Sequence, residues 1–352
     1  AITLLADNSI YQNYLTPAVK GDLVTAGAGT IDVAATNGSI VMAVSGSGAT
    51  PTLTKAQTSG GNIRYQAGDS IVLALLDART SADRTGGTLT QQASWGDIAV
   101  KAGTVVTTGS ITDAKNASSA LVNLDANHLR LSAAANLGTL GASANPLELE
   151  TIALAAVGAT GGIDLLDLTD VTVDTVGPVA VNRVGLDGTT SGQQDNASTS
   201  DLVTTGGDGA IVLRTVNGSI TLNDGLVQAD PTAVSANGAG NVLIEAQGAG
   251  RNVNVNAAVK SAAGNLTLKA RTTINLNANG DLETGLATID VEAVDQDIAM
   301  TSGVHLQTSG GNIRLNAGRH VVLGLLDTRI GSDRTGGTRT LQSDATTPWG
   351  DA

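Results

Sequence analysis

Residues 241–329 read as four lines of similar sequence: NVLIEAQGAGRNVNVNAAVKSAAG (241–264), NLTLKARTTINLNANGDLETGLA (265–287), TIDVEAVDQDIAMTSGVHLQTSGG (288–311) and NIRLNAGRHVVLGLLDTR (312–329). The leading apolar residues recur at steps of 24, 23 and 24 residues; they are Val242, Leu266, Ile289 and Ile313. A second apolar segment starts 8 to 11 residues later in each line, at Val253, Ile274, Ile298 and Val321. A third, shorter segment is clearest at Val304-His305-Leu306.

Each segment alternates apolar and polar residues, as in Ile289-Asp290-Val291, which is typical of a half-buried β-strand. One such line cannot bury its apolar face alone, but copies stacked about 4.8 Å apart enclose a continuous interior. The sequence therefore predicts an all-β protein, a right-handed parallel β-helix with about 23–24 residues and three short strands per coil. We expect the four leading residues to form one inward column.

The same pattern occurs earlier in the chain, interrupted by insertions. Predicted strand pairs begin at Ile31 and Ile40, Ile63 and Ile71, Leu121 and Leu129, Ile163 and Val171, and Ile211 and Ile220. Three segments do not fit the period and are predicted to be loops that project from the corners of the coil: 75–95, 182–208 and 325–349. We interpret residues 1–352 as a single elongated β-solenoid.

A long internal repeat relates residues 57–97 to residues 307–351. The octet QTSGGNIR occurs at 57–64 and again at 307–314, and WGD follows each copy at 95–97 and 349–351. Both copies also contain DRTGG, at 83–87 and 333–337. The repeat predicts that residues 57–88 and 307–338 share one local conformation.

Composition limits the class of protein. Hydrophobic residues make up 41% of the chain but aromatic residues only 1%, and there is no Phe, so Val, Ile, Leu and Ala must fill any core. The absence of Cys excludes disulfides, thiolate catalysis and zinc–thiolate sites. The net charge of −13 argues against nucleic acid and anionic membranes as partners.

Signals of membrane insertion and export are lacking in the sequence. No segment approaches the roughly 18 consecutive apolar residues of a transmembrane helix, so we expect no membrane insertion. The opening AITLLADNSIYQNY lacks a signal-peptide pattern. Because the chain begins in mid-pattern and its final WGDA stops where the earlier copy continues WGDIAVKAG, we expect it to be a segment of a longer polypeptide.

Turns of the form G-N-[IVL]-x-[LVI]-x-A, joined by G-[SD]-[IV]-x-[LMV], resemble the haemagglutinin-like β-helical repeats of very large bacterial adhesins, the filamentous-haemagglutinin group. Examples of the first form begin at Gly240, Gly264 and Gly311. The resemblance implies an extracellular or bacterial cell-surface protein that forms a long shaft and mediates attachment, aggregation or biofilm formation. The secretion domain of that group is not visible in this sequence.

Catalytic and metal-binding residues are sparse. His128, His305 and His320 lie in strand contexts and are interpreted as surface residues, and no Ser occupies a G-x-S-x-G motif. The cluster Asp164, Asp167, Asp170 and Asp174 is a weak candidate for Ca²⁺ and is otherwise interpreted as a solvated acidic face. The β-helical lyases that it resembles also need an Arg or Lys base, and no basic residue lies between 163 and 181.

The repeated DRTGG motif has two interpretations. In the first, Asp83, Arg84, Asp333 and Arg334 contact a partner. In the second, which we favour, each Asp caps a turn, each Arg pairs with Asp77 or Asp327, and the glycines supply positive φ. Residues Asn62, Asn241, Asn265 and Asn312 each begin a turn and are predicted to form hydrogen-bonded stacks.

Two function classes remain from the sequence. The first is a structural and adhesive shaft without enzyme activity or cofactor, whose partners are other copies of the chain or tandem repeats, surface glycans or cells. The alternative is a carbohydrate-active β-helix enzyme, a lyase or hydrolase. Because the chain has only 2 Trp and 3 Tyr for sugar stacking, the shaft is favoured.

Overall fold

The computed structural model describes residues 1–46, 51–86, 91–116, 121–194, 197–225, 231–337 and 349–352. These residues form an all-β parallel β-helix, which confirms the predicted fold class. Strands of one coil pair in parallel with strands of the coils before and after it, so most backbone hydrogen bonds run along the axis.

Three parallel sheets run along the helix. Sheet 1 contains Ile2–Ala6, Ile31–Ala35, Ile63–Ala67, Ile98–Ala102, the second halves of Leu124–Ala133 and Leu147–Gly158, then Leu202–Thr204, Thr232–Ala236, Ala258–Ser261, Leu282–Glu283, His305–Gln307 and Leu325–Asp327. Sheet 2 contains Ile10–Gln12, Ile40–Met42, Ile71–Leu73, Ile111–Asp113, a bridge at Leu137, Ile163–Asp167, Ile211–Thr215, Val242–Ala246, Leu266–Ala270, Ile289–Ala293 and Ile313–Ala317. Sheet 3 contains Leu23–Val24, Lys55–Gln57, Leu75–Asp77, the first halves of Leu124–Ala133 and Leu147–Gly158, then Val171–Val173, Ile220–Leu222, Val253–Val255, Ile274–Leu276, Ile298–Met300 and Val321–Val322.

The remaining described elements decorate the coil. Three antiparallel hairpins pair Tyr14–Thr16 with Val19–Lys20, Val44–Ser45 with Thr52–Leu53, and Val181–Val184 with Thr190–Gln193. Two short helices follow the repeated LLD strands, at Ser81–Gly86 and Gly331–Thr335. None of the helices in the described part of the chain has the length and apolar character needed to span a bilayer.

The predicted inward column is confirmed. Val242, Leu266, Ile289 and Ile313 pair in successive Cα registers and are 2%, 0%, 1% and 5% exposed. Val242, Leu266 and Ile289 each lie between equivalent residues of the coils before and after, and Ile313 packs on Ile289, so a single apolar core runs along the coils.

Most coils contain one five-residue strand, and the sheet to which this strand belongs differs between the two halves of the molecule. Before residue 160 it belongs to sheet 1, as in Ile63–Ala67, whereas after that point it belongs to sheet 2, as in Ile313–Ala317. The change coincides with the twelve-residue strand Leu147–Gly158, which pairs along its length with three later strands, Ile163–Asp167, Val171–Val173 and Leu202–Thr204. The two copies of the long repeat therefore lie on different faces of the shaft.

One predicted strand start is wrong. Leu121 lies outside any strand, and a single ten-residue strand, Leu124–Ala133, replaces the predicted pair. This strand passes from sheet 3 to sheet 1 without a turn, and Leu124 and Leu129 are its buried positions on the two sheets.

The predicted loops are shorter than expected and one of them does not project. Leu75–Asp77, Leu325–Asp327 and Leu202–Thr204 are strands of the coil, because each continues the ladder of sheet 3 or sheet 1. Residues 87–90, 195–196 and 338–348 of these loops lie outside the described residues.

The hairpin Val181–Val184/Thr190–Gln193 lies flat against the first coils. Its backbone donates from Asn182 N to Thr30 Oγ1 at 2.8 Å, and Arg183 Nε donates to Asp32 Oδ2 at 2.7 Å. Arg64 holds the other oxygen of Asp32, which is fully buried as a result. This long-range ion pair explains why the segment folds back instead of projecting.

Candidate functional site

The N-terminal module, residues 57–86 and 91–97, is organised around Asp77. This carboxylate lies at the end of its strand, 1% exposed, and accepts hydrogen bonds from Arg79 and Arg84 at 2.8–3.0 Å. Arg84 Nη2 also donates to the carbonyl oxygens of Thr58 and Arg79. Burial by itself raises the pKa of Asp77, but the hydrogen bonds from Arg79 and Arg84 outweigh it and hold the pKa below its ordinary value.

The C-terminal module, residues 307–337 and 349–351, repeats the same contacts. Arg329 and Arg334 bind Asp327 at 2.6–3.1 Å. Arg334 Nη2 donates to Thr308 O at 2.6 Å, the distance found for the equivalent bond of Arg84. Hydrogen bonds from Arg329 and Arg334 hold the pKa of Asp327 well below its usual range. The repeated sequence thus specifies a repeated contact network.

The two acidic residues of DRTGG also have equivalent partners. Trp95 Nε1 donates to Asp83 Oδ2 at 2.8 Å, and Trp349 Nε1 donates to Asp333 Oδ2 at 2.7 Å. In the first copy Thr80 additionally exchanges hydrogen bonds with Asp83 at the start of the helix. The second copy has Ile330 at that position, which cannot cap, so its helix begins without a side-chain cap.

These contacts match the structural interpretation of DRTGG. The Arg–Asp77 and Arg–Asp327 pairs are confirmed, and Gly337 has φ +69° while Gly336 has φ −77°. The carboxylate of Asp83 and the guanidinium of Arg84 are both occupied within the module. Contact of these loops with a partner stays a prediction.

The four aspartates proposed for Ca²⁺ have separate surroundings. Asp164 is 1% exposed and faces Arg214 Nη2 at 3.3 Å, and burial raises its pKa. Asp167 is fully buried and accepts from the backbone of Thr169 and Thr151. The predicted solvated acidic face is therefore wrong for these two residues, because neighbouring strands and segments cover them.

The other two aspartates of the sequence cluster, Asp170 and Asp174, accept hydrogen bonds from residues of the neighbouring coil. Asp170 accepts from Ser219 N at 2.6 Å, and Asp174 accepts from Asn223 Nδ2 at 3.0 Å. Within the described ranges, the only set of three His or carboxylate residues with ligand atoms close enough to share a metal is Asp281, Glu283 and His305. The sequence cluster is thus not a spatial cluster.

The histidine of that set bridges two carboxylates. His305 Nδ1 lies 3.1 Å from Asp281 Oδ1, and Nε2 lies 3.2 Å from Glu283 Oε1. Because the two ring nitrogens point in opposite directions, one ion cannot replace both contacts. His128 and His320 each lie beside one aspartate, Asp97 at 3.0 Å and Asp297 at 3.1 Å, as expected for surface histidines.

A ladder of carboxylates that was not predicted from the sequence lies on the outer side of sheet 3. Asp77, Asp125 and Glu150 pair in consecutive Cα registers, and all three are at most 2% exposed because loop segments cover them. Burial raises the pKa of Asp125 well above its ordinary value and that of Glu150 to about 7. Arg79 bridges Asp77 and Asp125, with 3.3 Å to Asp125 Oδ2.

A cavity of about 380 Å³ opens beside this ladder. Its walls are mainly apolar, and its polar lining consists of Arg79, Asp125 and Glu150. Asp125 Oδ1 and Glu150 Oε1 are buried and have no hydrogen-bond partner among the described residues. The lining residues are Leu53, Leu75, Arg79, Leu121, Val122, Asp125, Glu150 and Leu168.

A second buried ion cluster lies two residues away along the strand Leu147–Gly158, at Glu148. The side chain of Lys115 is 0% exposed, with its Nζ 2.8 Å from Asp113 Oδ1 and 3.3 Å from Glu148 Oε2. Burial raises the pKa of Glu148 to about 7. This cluster holds its own cation, whereas Glu150 on the same strand has no cation within salt-bridge distance in the described part of the chain.

The sequence contained one signal for these clusters. Strands LDANHLRLSA and LELETIALAAVG place acidic residues at the outward positions of long strands, next to inward leucines. Alternation alone predicts that such residues face water. These acidic residues are buried instead, because segments from distant parts of the chain cover them.

Comparison of the chain with protein family models, with curated proteins and with solved structures gave no match in any of the three.

Proposed function

We propose that the chain is a structural and adhesive shaft of an extracellular or cell-surface bacterial protein. The observation that carries this proposal is the continuous stack of coils around one apolar core, from Ile31 in sheet 1 to Ile313 in sheet 2. A stack of this kind gains length by adding coils, and each coil covers the apolar edge of the one before it.

Stiffness along the axis supports the proposal. Strands in all three sheets pair with neighbours on both sides, so bending the shaft breaks several backbone ladders at once. About a dozen strand levels at about 4.8 Å give a length of about 55 Å for this segment. Asparagine ladders such as Asn223–Asn256–Asn277, with amide bonds of 2.8 and 2.7 Å, add side-chain bonds in the same direction.

Self-association is the proposed means of lengthening. We propose that the partners of the shaft are other copies of the chain or tandem repeats, and that glycans or cells bind along its sides.

Surface location and adhesion are tested on the source bacterium. An antibody raised against the purified chain should label intact cells, and deletion of the gene should reduce attachment or aggregation several-fold. Label confined to permeabilised cells, with unchanged attachment, would refute the proposal.

Enzyme activity is tested separately on purified protein. We expect no cleavage of polyuronates or other polysaccharides, because the carboxylates of Asp167 and Asp170 bind backbone groups of their own chain. Reproducible cleavage that is lost on changing either residue would contradict the proposed shaft and favour a carbohydrate-active enzyme.

A further inference from the structure

We propose that the cavity beside sheet 3 binds a primary alkylammonium ion, with the ammonium group against Asp125 and Glu150 and the alkyl stem along the apolar wall.

The shape and lining of the cavity define the class of ligand. Leucine and valine side chains form most of the wall, and the polar groups are concentrated at one side. A ligand that fits must therefore combine an apolar stem with one polar end. The volume of about 380 Å³ suits a molecule of amino-alkane size.

The charge balance defines the polar end. The carboxyl groups of Asp77, Asp125, Glu150 and Asp167 face one another across neighbouring strands, and the guanidinium groups of Arg79 and Arg84 are the cations beside them. Arg84 is bound to Asp77, and Arg79 is shared between Asp77 and Asp125. With all four carboxyl groups ionised, the cluster therefore lacks cationic charge.

Two unsatisfied atoms locate the missing cation. Asp125 Oδ1 and Glu150 Oε1 are buried and lack a hydrogen-bond partner in the described residues, and both residues line the cavity, so a rotation of each carboxyl group toward the cavity brings these oxygens to a bound ammonium group. An ammonium group offers three donors and satisfies both oxygens. A buried carboxylate without such a donor is unfavourable.

A metal ion fits this site less well. No three carboxylate or histidine ligand atoms of the described residues converge here, whereas Ca²⁺ takes six to eight oxygen ligands. Most of the lining is apolar, so the wall supplies few further oxygen ligands for an ion.

Protons compete with the ammonium ion for the same oxygens. Burial raises the pKa of Glu150 to about 7, so without a cation part of the Glu150 carboxyl group is protonated near neutral pH, and burial also raises the pKa of Asp125 and Asp167 above their ordinary values. Binding an ammonium ion favours the ionised form. Uptake of the ligand therefore releases protons, and affinity rises as pH rises from 6 to 8.

Isothermal titration calorimetry of the full chain with n-butylammonium chloride tests the proposal. We expect saturable binding of one ion at pH 7.5, at least threefold weaker binding at pH 6, and a heat that differs between phosphate and Tris because protons are released. n-Butanol, the neutral analogue, and CaCl₂ should give no saturable heat. Nα-acetyl-lysine N-methylamide, which carries a lysine side chain, is titrated in the same way. Tighter binding of this compound than of n-butylammonium would identify a lysine side chain as the natural source, and weaker binding would identify a free amine.

Matched variants identify the site. Glu150→Gln should weaken n-butylammonium binding at least tenfold. Glu148→Gln should change it less than twofold, because Glu148 lies on the same strand with similar burial but faces Lys115 outside the cavity. Equal binding of n-butanol, pH-independent affinity in the unmodified chain, absence of saturable binding at pH 7.5, or wild-type affinity in a folded Glu150→Gln variant would each overturn the proposal.

Discussion

Replacing Leu268 with Ala should reduce the stability of the shaft by about 3–4 kcal/mol. Leu268 is fully buried and pairs in register with Ile244 in one neighbouring coil and Val291 in the other. The substitution removes three carbon atoms, which is about 2.4 kcal/mol at about 0.8 kcal/mol per methylene. Because stacked strands cannot collapse onto the space without breaking register, a residual cavity adds about 1 kcal/mol.

Urea unfolding followed by circular dichroism measures this effect, and hydrogen exchange across 242–293 locates it. Thr267→Ala is the matched control, since Thr267 is the adjacent residue of the same strand on the outward face and should change stability by less than about 0.5 kcal/mol. If Leu268→Ala costs no more than Thr267→Ala, the side chain does not occupy a packed interior and the reasoning fails.

Three further predictions concern individual contacts. Because Arg329 holds the pKa of Asp327 far below its usual range, the stabilisation from this pair is complete above about pH 4, the unfolded-state pKa. It is lost as pH falls through the folded-state pKa. Thermal melts of Asp327→Asn should therefore lie below those of the unmodified chain at pH 7 and approach them in acid; a constant difference at all pH values would exclude the mechanism. Asn256→Ala removes two amide hydrogen bonds of the asparagine ladder and should cost about 1–3 kcal/mol in urea unfolding, and a cost below about 0.3 kcal/mol would show that the ladder is not stabilising. Trp349→Phe leaves Trp95, which is 3% exposed, as the sole indole, so fluorescence should shift to shorter wavelength and resist acrylamide, whereas emission typical of water would place Trp95 on the surface.

The C-terminal coils were predictable from sequence because nothing interrupts their period. Alignment of the four lines at 241–329 gives the register directly, since each leading residue pairs with its equivalent in the next line. Side-chain alternation then assigns inward and outward positions. Local pattern and tertiary stacking agree throughout this region.

The change of sheet near residue 160 was not predictable. Ile63–Ala67 (IRYQA) and Ile313–Ala317 (IRLNA) have similar sequences and lie at the same place in the repeated module, so local propensity assigns them the same role. Which sheet each joins depends on the strand that lies beneath it. That information resides in Leu124–Ala133 and Leu147–Gly158, where strands run through a corner without a turn.

Part of the candidate sites followed from sequence and part did not. The pairing of Arg84 with Asp77 was predictable because both residues lie in one repeated motif. The burial of Glu150 and Asp32 was not, because the segments that cover them come from elsewhere in the chain. For Asp32, the covering residue Arg183 is 151 positions away.

Engineered disulfides test the stacked register most directly, because the chain has no Cys of its own. Thr267 and Asp290 are Cα partners on neighbouring coils, so their separation of about 4.8 Å lies within the range that a disulfide spans. We expect rapid oxidation of Thr267→Cys/Asp290→Cys and little or none of Thr267→Cys/Glu292→Cys, whose Cα atoms are offset by two residues and lie about 7–8 Å apart. Preferential oxidation of the offset pair, or failure of the in-register pair, would contradict the parallel β-helix.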